Sequence, residues 1–262
     1  MTSDQFKWVA IVLIFVSGVA GGMLPWLLKK NARFDLWFSL GNSFAGGVFL
    51  GIGLIHMLSS AADVFSEKMP NMSYPMVYLL AGITFMLFLL IERILPKHDF
   101  DEVQLSVDGS KEPSRLSAYL LLLILSVHSF LAGFALGIEA TIAGAVVILI
   151  ALLAHKSVAA FALGISFFRT ATSFIQHLFY ILLFSLSTPV GVIAGMLFDE
   201  WISASRRGAA EGVFYAMAGG TFLYIATLDI FSEEFLRPTY RQRKFLASTL
   251  GFALMALVAV WL

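Results

Sequence analysis

The sequence predicts an all-α integral membrane protein with eight transmembrane helices related by inverted-topology repeats, and three observations carry that prediction. The chain is 59% hydrophobic and only 13% charged, with a mean hydropathy of +0.88, outside the balance of a soluble globular domain. Eight stretches approach the roughly 20 apolar residues that a helix needs to cross a hydrocarbon layer about 30 Å thick. Two pairs of segments also echo each other. HSFLAGFALG at 128–137 returns as HKSVAAFALG at 155–164, and AGGVFLGIGLIH at 45–56 returns as AGGTFLYIATLD at 218–229. Strands of alternating apolar and polar residues are absent from the sequence, which excludes a barrel.

The spans are expected near 8–28, 38–58, 74–95, 117–138, 142–168, 172–198, 208–230 and 245–262, as one domain over residues 1–262. The first span is too long for a secretory signal and lacks a clear cleavage site. It runs into Pro25, Trp26, Lys29 and Lys30, so it is expected to be retained. With the N-terminus outside, the inner loops hold Lys29, Lys30, Arg33, Arg93, Lys97, Lys111, Arg115, Arg169, Arg237, Arg241, Arg243 and Lys244. The outer side then holds Lys7, Lys68, Arg206 and Arg207, so both termini are expected to be extracytoplasmic, in the plasma membrane. The cytoplasmic loop 96–116 carries His98, Asp99, Asp101 and Glu102 and reads as a solvated acidic linker.

Several function classes drop out early. Cysteine is absent, so disulfides and thiolate ligands are excluded and soft-metal chemistry falls to imidazole. Formal net charge is zero and the basic residues lack interleaved aromatics, which excludes nucleic acid as a partner. No HExxH motif or multi-histidine box is present, so the chain does not read as an enzyme.

Under this topology the second and fourth spans run outward and the seventh and fifth run inward. Each echo therefore links helices of opposite direction, the mark of inverted repeats and of transporters. His128 and His155 head the first pair of copies and fall near the bilayer midplane, at about 1.5 Å of rise per residue. Ionisable groups at that depth are costly and normally line a cavity or meet a partner. A neutral imidazole there offers one nitrogen to a metal. The bland alternative is a histidine pair that only hydrogen-bonds the two helices. A rival from another class is a haem electron-transfer protein with His128 and His155 as axial ligands.

Further candidates form a path. His56 and Asp63 are expected at the outer end of the second span, Gln176 and His177 near the inner end of the sixth, and Asp229 near the inner end of the seventh, at the repeat position of His56. Ordinary helix-end polarity is the alternative for most of them. Pro189 is expected to interrupt the sixth span.

The histidine-headed fourth and fifth spans, the FL pair at 49–50 followed by His56, FSLSTPVG at 184–191 and AGGTFLYIATLD at 218–229 together resemble the ZIP (Zrt/Irt-like) divalent-metal transporters. The resemblance implies import of Zn(II), Fe(II) or Mn(II) toward the cytoplasm through a site between the fourth and fifth helices. It also implies an elevator-like movement of helices 1, 4, 5 and 6 against 2, 3, 7 and 8. Carried over by position, His128 and His155 match the transport site, while Ser129, Lys156 and Thr188 match a second, adjacent site of some relatives. A protonated lysine does not bind metal, so Lys156 implies a single ion. Many relatives have glutamate one turn after the helix-4 histidine, where this chain has Ala132. Further ligands must then come from water, Ser129 or Ser157. Imidazole favours Zn(II), admits Fe(II) or Cu(II), and disfavours Mg(II) and Ca(II). The metal is cargo rather than cofactor, the lipid bilayer is the other partner, and homodimer formation is left open.

Overall fold

In a computed structural model, the described residues are 2–28, 34–70, 74–94, 115–139, 141–170, 173–198 and 204–260. All secondary structure among them is helical. The loop carrying His98, Asp99, Asp101 and Glu102 lies outside them. Eight rods emerge: α1 (Ser3–Leu28), α2 (Phe34–Gly51, Ile52–Met57 and Leu58–Lys68), α3 (Met76–Leu89 and Leu90–Ile94) and α4 (Arg115–Ile138). The others are α5 (Ile142–Arg169), α6 (Phe174–Phe198), α7 (Ala204–Tyr224, Ile225–Phe231 and Ser232–Leu236) and α8 (Arg241–Val258). Among the described residues, α1 to α7 each contain a stretch long and apolar enough to cross a membrane. The eighth opens with Arg241, Arg243 and Lys244 and packs along α2.

Two expectations need correction. The second span was placed at 38–58, but α2 continues to Lys68 through LSSAADVFSEK, whose polar residues fall on one side while Ala61 stays buried. Amphipathic sequence of this kind prolongs a helix past its apolar stretch. His56 is therefore interior to α2 and not at its end, and Asp63 stands exposed on the extension. Nor does Pro189 interrupt the sixth span. α6 runs unbroken through it, the ring is buried, and the loss is limited to the backbone bond that proline cannot donate.

The helices sort into two bundles. In one, α1 packs along α5 and α4 along α6; in the other, α2 packs along α8 and α3 along α7. Glycine allows each close approach. A Cβ on Gly21 would strike the backbone of Ser157, and one on Gly191 would strike the carbonyl of Phe130. The two contacts are symmetric, because Ser157 and Phe130 each stand two residues after the histidine of their helix. Gly164 against Gly22 and Gly137 against Val192 repeat the relation one residue further along α1 and α6. Small residues that let membrane helices approach thus form matched seams in the two repeats.

The other echo has a matched distortion. Ile52–Met57 in α2 and Ile225–Phe231 in α7 are both π-helical, and they carry His56 and Asp229 in the same register after the shared AGG and AGG words. Single π turns are rare and concentrate at functional sites. The bundles meet where α2 faces α5 and α4 faces α7. One face of the molecule carries Arg169, Arg237 and Lys244, and is called the basic face below; Ser3 and Val258 end the chain's helices at the opposite, termini face.

Candidate metal site

A three-residue turn sets the depth of the two histidines. The Glu139 carboxylate accepts from the Thr141 amide (2.8 Å) and hydroxyl (2.7 Å), and the Thr141 hydroxyl accepts from the Gly144 amide (3.0 Å), capping α5. The capped hairpin turns α5 back along α4. His128 and His155 then face each other with ring centroids 6.0 Å apart, both buried (6% and 3% exposed).

Neither ring has spent its hydrogen-bonding capacity. Both nitrogens of His128 and Nδ1 of His155 are buried without a partner. Buried polar atoms are nearly always paired, so three open nitrogens in one place signal a ligand. A metal–nitrogen distance of about 2.1 Å, with about 1.1 Å more to each ring centre, puts two imidazoles on a tetrahedral metal about 5.2 Å apart between centroids, so the rings would close by just under about 1 Å to share an ion. Phe222 of α7 packs against both rings, at 4.2 Å from His128 and 6.0 Å from His155. That places the second bundle's wall directly on the pair. His56 stands in the π turn of α2. Among the described residues no group of three or more His, Asp or Glu side chains gathers in a metal-holding arrangement.

The neighbouring polar residues are already engaged. Lys156, 2% exposed, donates to the hydroxyls of Ser129 (3.1 Å) and Thr188 (2.9 Å) and to the Phe184 carbonyl (3.1 Å), with its ammonium 3.7 Å from the Phe184 ring centre. Three oxygens match its three protons, and the aromatic face adds a cation–π contact. Gly18 of α1 makes room, since a Cβ there would lie 3.3 Å from Lys156 Cε. Of the three residues expected near a second site, Ser129 and Thr188 therefore join the Phe184 carbonyl around the ammonium of the third, Lys156. Ser129 presents its oxygen to lysine, and Ser157, about 200° around the helix from His155 at 3.6 residues per turn, turns its backbone to Gly21. Ala132 packs with Ala10, Ile14, Leu136 and Leu152 in an apolar cluster on the termini side of the pair.

The path candidates divide. Nε2 of His177 meets the Gly22 carbonyl at 3.0 Å and its ring lies 5.4 Å from Trp26, so it ties α6 to α1. Gln176 is exposed, and its side chain accepts from the Ser173 amide in a helix-start cap. Asp229 lines a cavity at the basic-face half of the seam, with Asn42, Ser166 and Glu233 among its walls. Sequence reasoning missed Asn42, Arg169 and Phe222 as parts of this region. Asn42 offered a signal, as a buried amide in an otherwise apolar span.

Helices long and apolar enough to cross a membrane, packed as two bundles, define the class as a multi-pass membrane protein. The family comparison agrees: the model described as "Zip: ZIP Zinc transporter" matches residues 4–99 and 98–259. The chain belongs to the ZIP family. It is 31% identical to zinc transporter 11 of Arabidopsis thaliana over 97% of this chain and 85% of that protein. It is also 30% identical to zinc transporter 1 of Oryza sativa subsp. japonica (96% and 82% covered) and 28% identical to zinc transporter ZIP2 of Homo sapiens (83% and 83%). The haem alternative gains no support from these relatives, and Phe222 packs at the edge of the space a macrocycle between the rings would need.

Proposed function

We propose that the protein carries zinc toward the cytoplasm through a single site formed by His128 and His155, with Fe(II) as a second cargo. The observation that supports this most is the pair of buried rings 6.0 Å apart with unpartnered nitrogens. Two neutral imidazoles suit Zn(II) and add no charge, so the ion keeps some of its water. Lys156 holds the neighbouring position and keeps the count at one. The names of the relatives favour zinc. The excess of lysine and arginine at the basic face favours that face as cytoplasmic, with both termini outside, and the plasma membrane as the location. Division into α1, α4, α5 and α6 against α2, α3, α7 and α8 suits an elevator in which the histidine-bearing bundle slides along the other.

Uptake of Zn(II), Fe(II), Mn(II) and Cd(II) into proteoliposomes tests the reading, with zinc expected to enter fastest. Ala132→Glu restores an oxygen ligand one turn from His128. It is expected to tighten zinc binding by about tenfold in a direct titration, equal to about 1.4 kcal/mol. Unchanged affinity would count against the site as drawn.

A further inference from the structure

The seam between the bundles is bridged at the basic face by Arg169, in the last turn of α5. Its Nη1 donates to Glu233 Oε1 (2.7 Å) and its Nη2 to Glu234 Oε1 (3.2 Å), both at the end of α7. The two acceptors differ in character. Glu234 is 0% exposed and belongs to its own bundle: it also accepts from Ser39 and from Asn42 (3.0 Å), and Lys244 Nζ lies 3.5 Å from its carboxylate. Glu233 is 30% exposed in its side chain and is shared between Arg169 and Arg237. If Arg169 withdraws, Glu234 keeps three partners and is not left as an uncompensated buried charge.

Arg169 and Glu233 also line a small cavity together with Asp229 and Ala162. The repeat shows what is special here. Glu233 and Glu234 follow Asp229 by four and five residues, and the residues that follow His56 by the same steps are Ser60 and Ala61. The fold is symmetric, but carboxylates stand at only one of the two equivalent places.

The geometry points to Arg169 as the residue that keeps the seam shut at the basic face, a tethered cation that must leave Glu233 before an ion can pass from the Asp229 cavity to that face. The identity of the passing ion rests on the transport reading above; the closure itself does not. A guanidinium seated on carboxylates at the mouth of a polar cavity repels an incoming cation and competes with it for the same oxygens. Because the bridge crosses between bundles, breaking it also frees one bundle to move against the other.

The absence of cysteine makes a direct test simple. Ala162→Cys, at a residue 3% exposed, reports on the cavity, and Ala151→Cys, also at 3%, reports on the buried part of α5 nearer the termini face. The probe is a charged methanethiosulfonate applied to the purified full chain in detergent. Adding Arg169→Ala or Glu233→Gln is expected to raise the labelling rate at position 162 by about tenfold or more, a shift in the population of open seam. The rate at 151 is expected to stay at the parent value. Glu233→Gln leaves Arg169 on Glu234, so the double variant is expected to go no faster than Arg169→Ala alone. Arg237→Ala, which removes only the outer partner of Glu233, is expected to stay within about twofold of the parent. An unchanged rate at 162, or equal acceleration at both reporters, would overturn the proposal. Since labelling needs no metal, a failure of zinc uptake leaves this result unaffected, and the two readings fail separately.

Discussion

Replacing either His128 or His155 with alanine is expected to lower zinc uptake by more than about 100-fold while leaving the protein folded. Loss of a residue that merely orients a metal ligand already costs about 10–100-fold, so loss of one of two ligands should exceed that range. Folding should survive, because the open nitrogens of both rings show that the pair makes little internal hydrogen bonding to lose. His128→Ala removes a ring packed on Phe222 and leaves a small cavity, so the thermal midpoint is expected to fall by a few degrees at most. The check is radiolabelled zinc flux per milligram of monodisperse protein, measured beside the thermal midpoint in detergent. If both variants transport at the parent rate, the paired imidazoles are not the site. If instead neither accumulates as folded protein, they are a structural pair and the bland alternative prevails.

The second large effect is expected at the α4–α6 seam. Gly191→Val places its Cβ on the carbonyl oxygen of Phe130, with the Phe134 amide nitrogen 3.0 Å away. Both obstacles are backbone, so no side-chain rotation relieves them. The helices must move apart, and α4 carries His128. Overpacking of this kind costs about 1–3 kcal/mol and more when backbone is displaced. The expected result is a thermal midpoint lowered by at least about 4 °C. The residual folded protein should also bind zinc more weakly, because His128 is displaced from His155. Gly82, with nothing within 4 Å of an added Cβ, supplies the control, and Gly82→Val is expected to leave stability and binding close to the parent.

The residues that could be read in advance share a property: their signal is local. An apolar run long enough to cross the bilayer, histidine at the head of two similar decapeptides, and glycine at helical spacing each state their meaning within one segment. His128 and His155 were legible for that reason, and so was the echo of His56 by Asp229. The matched π turns under that echo were not legible, because a π turn depends on how the surrounding helices pack rather than on a residue pattern. The contacts of His177 and Gln176 were not legible for a related cause. Only the position of α1 brings the Gly22 carbonyl to Nε2 of His177, and only the local turn sets the Gln176 side chain on the Ser173 amide.

Ligand geometry required contacts that sequence separation conceals. Ser129 and Ser157 stand one and two residues after their histidines, yet Ser129 meets Lys156 and the backbone of Ser157 meets α1, because each step along a helix turns about 100°. Arg169 and Glu233 lie far apart in sequence and on different bundles, and nothing local announces that they meet.

By itself, the sequence determined that this chain lives in a membrane, that it is all helix and that segments of it echo each other in helices of opposite direction. These follow from composition and period, which water and lipid read one segment at a time. Tertiary structure decided which nitrogens stay open, that Lys156 is enclosed by Ser129, Thr188 and Phe184, and that Arg169 of one bundle meets Glu233 and Glu234 of the other. Those outcomes depend on which faces of separate helices are brought within about 3 Å, a distance set by packing between bundles rather than by any pattern along the chain.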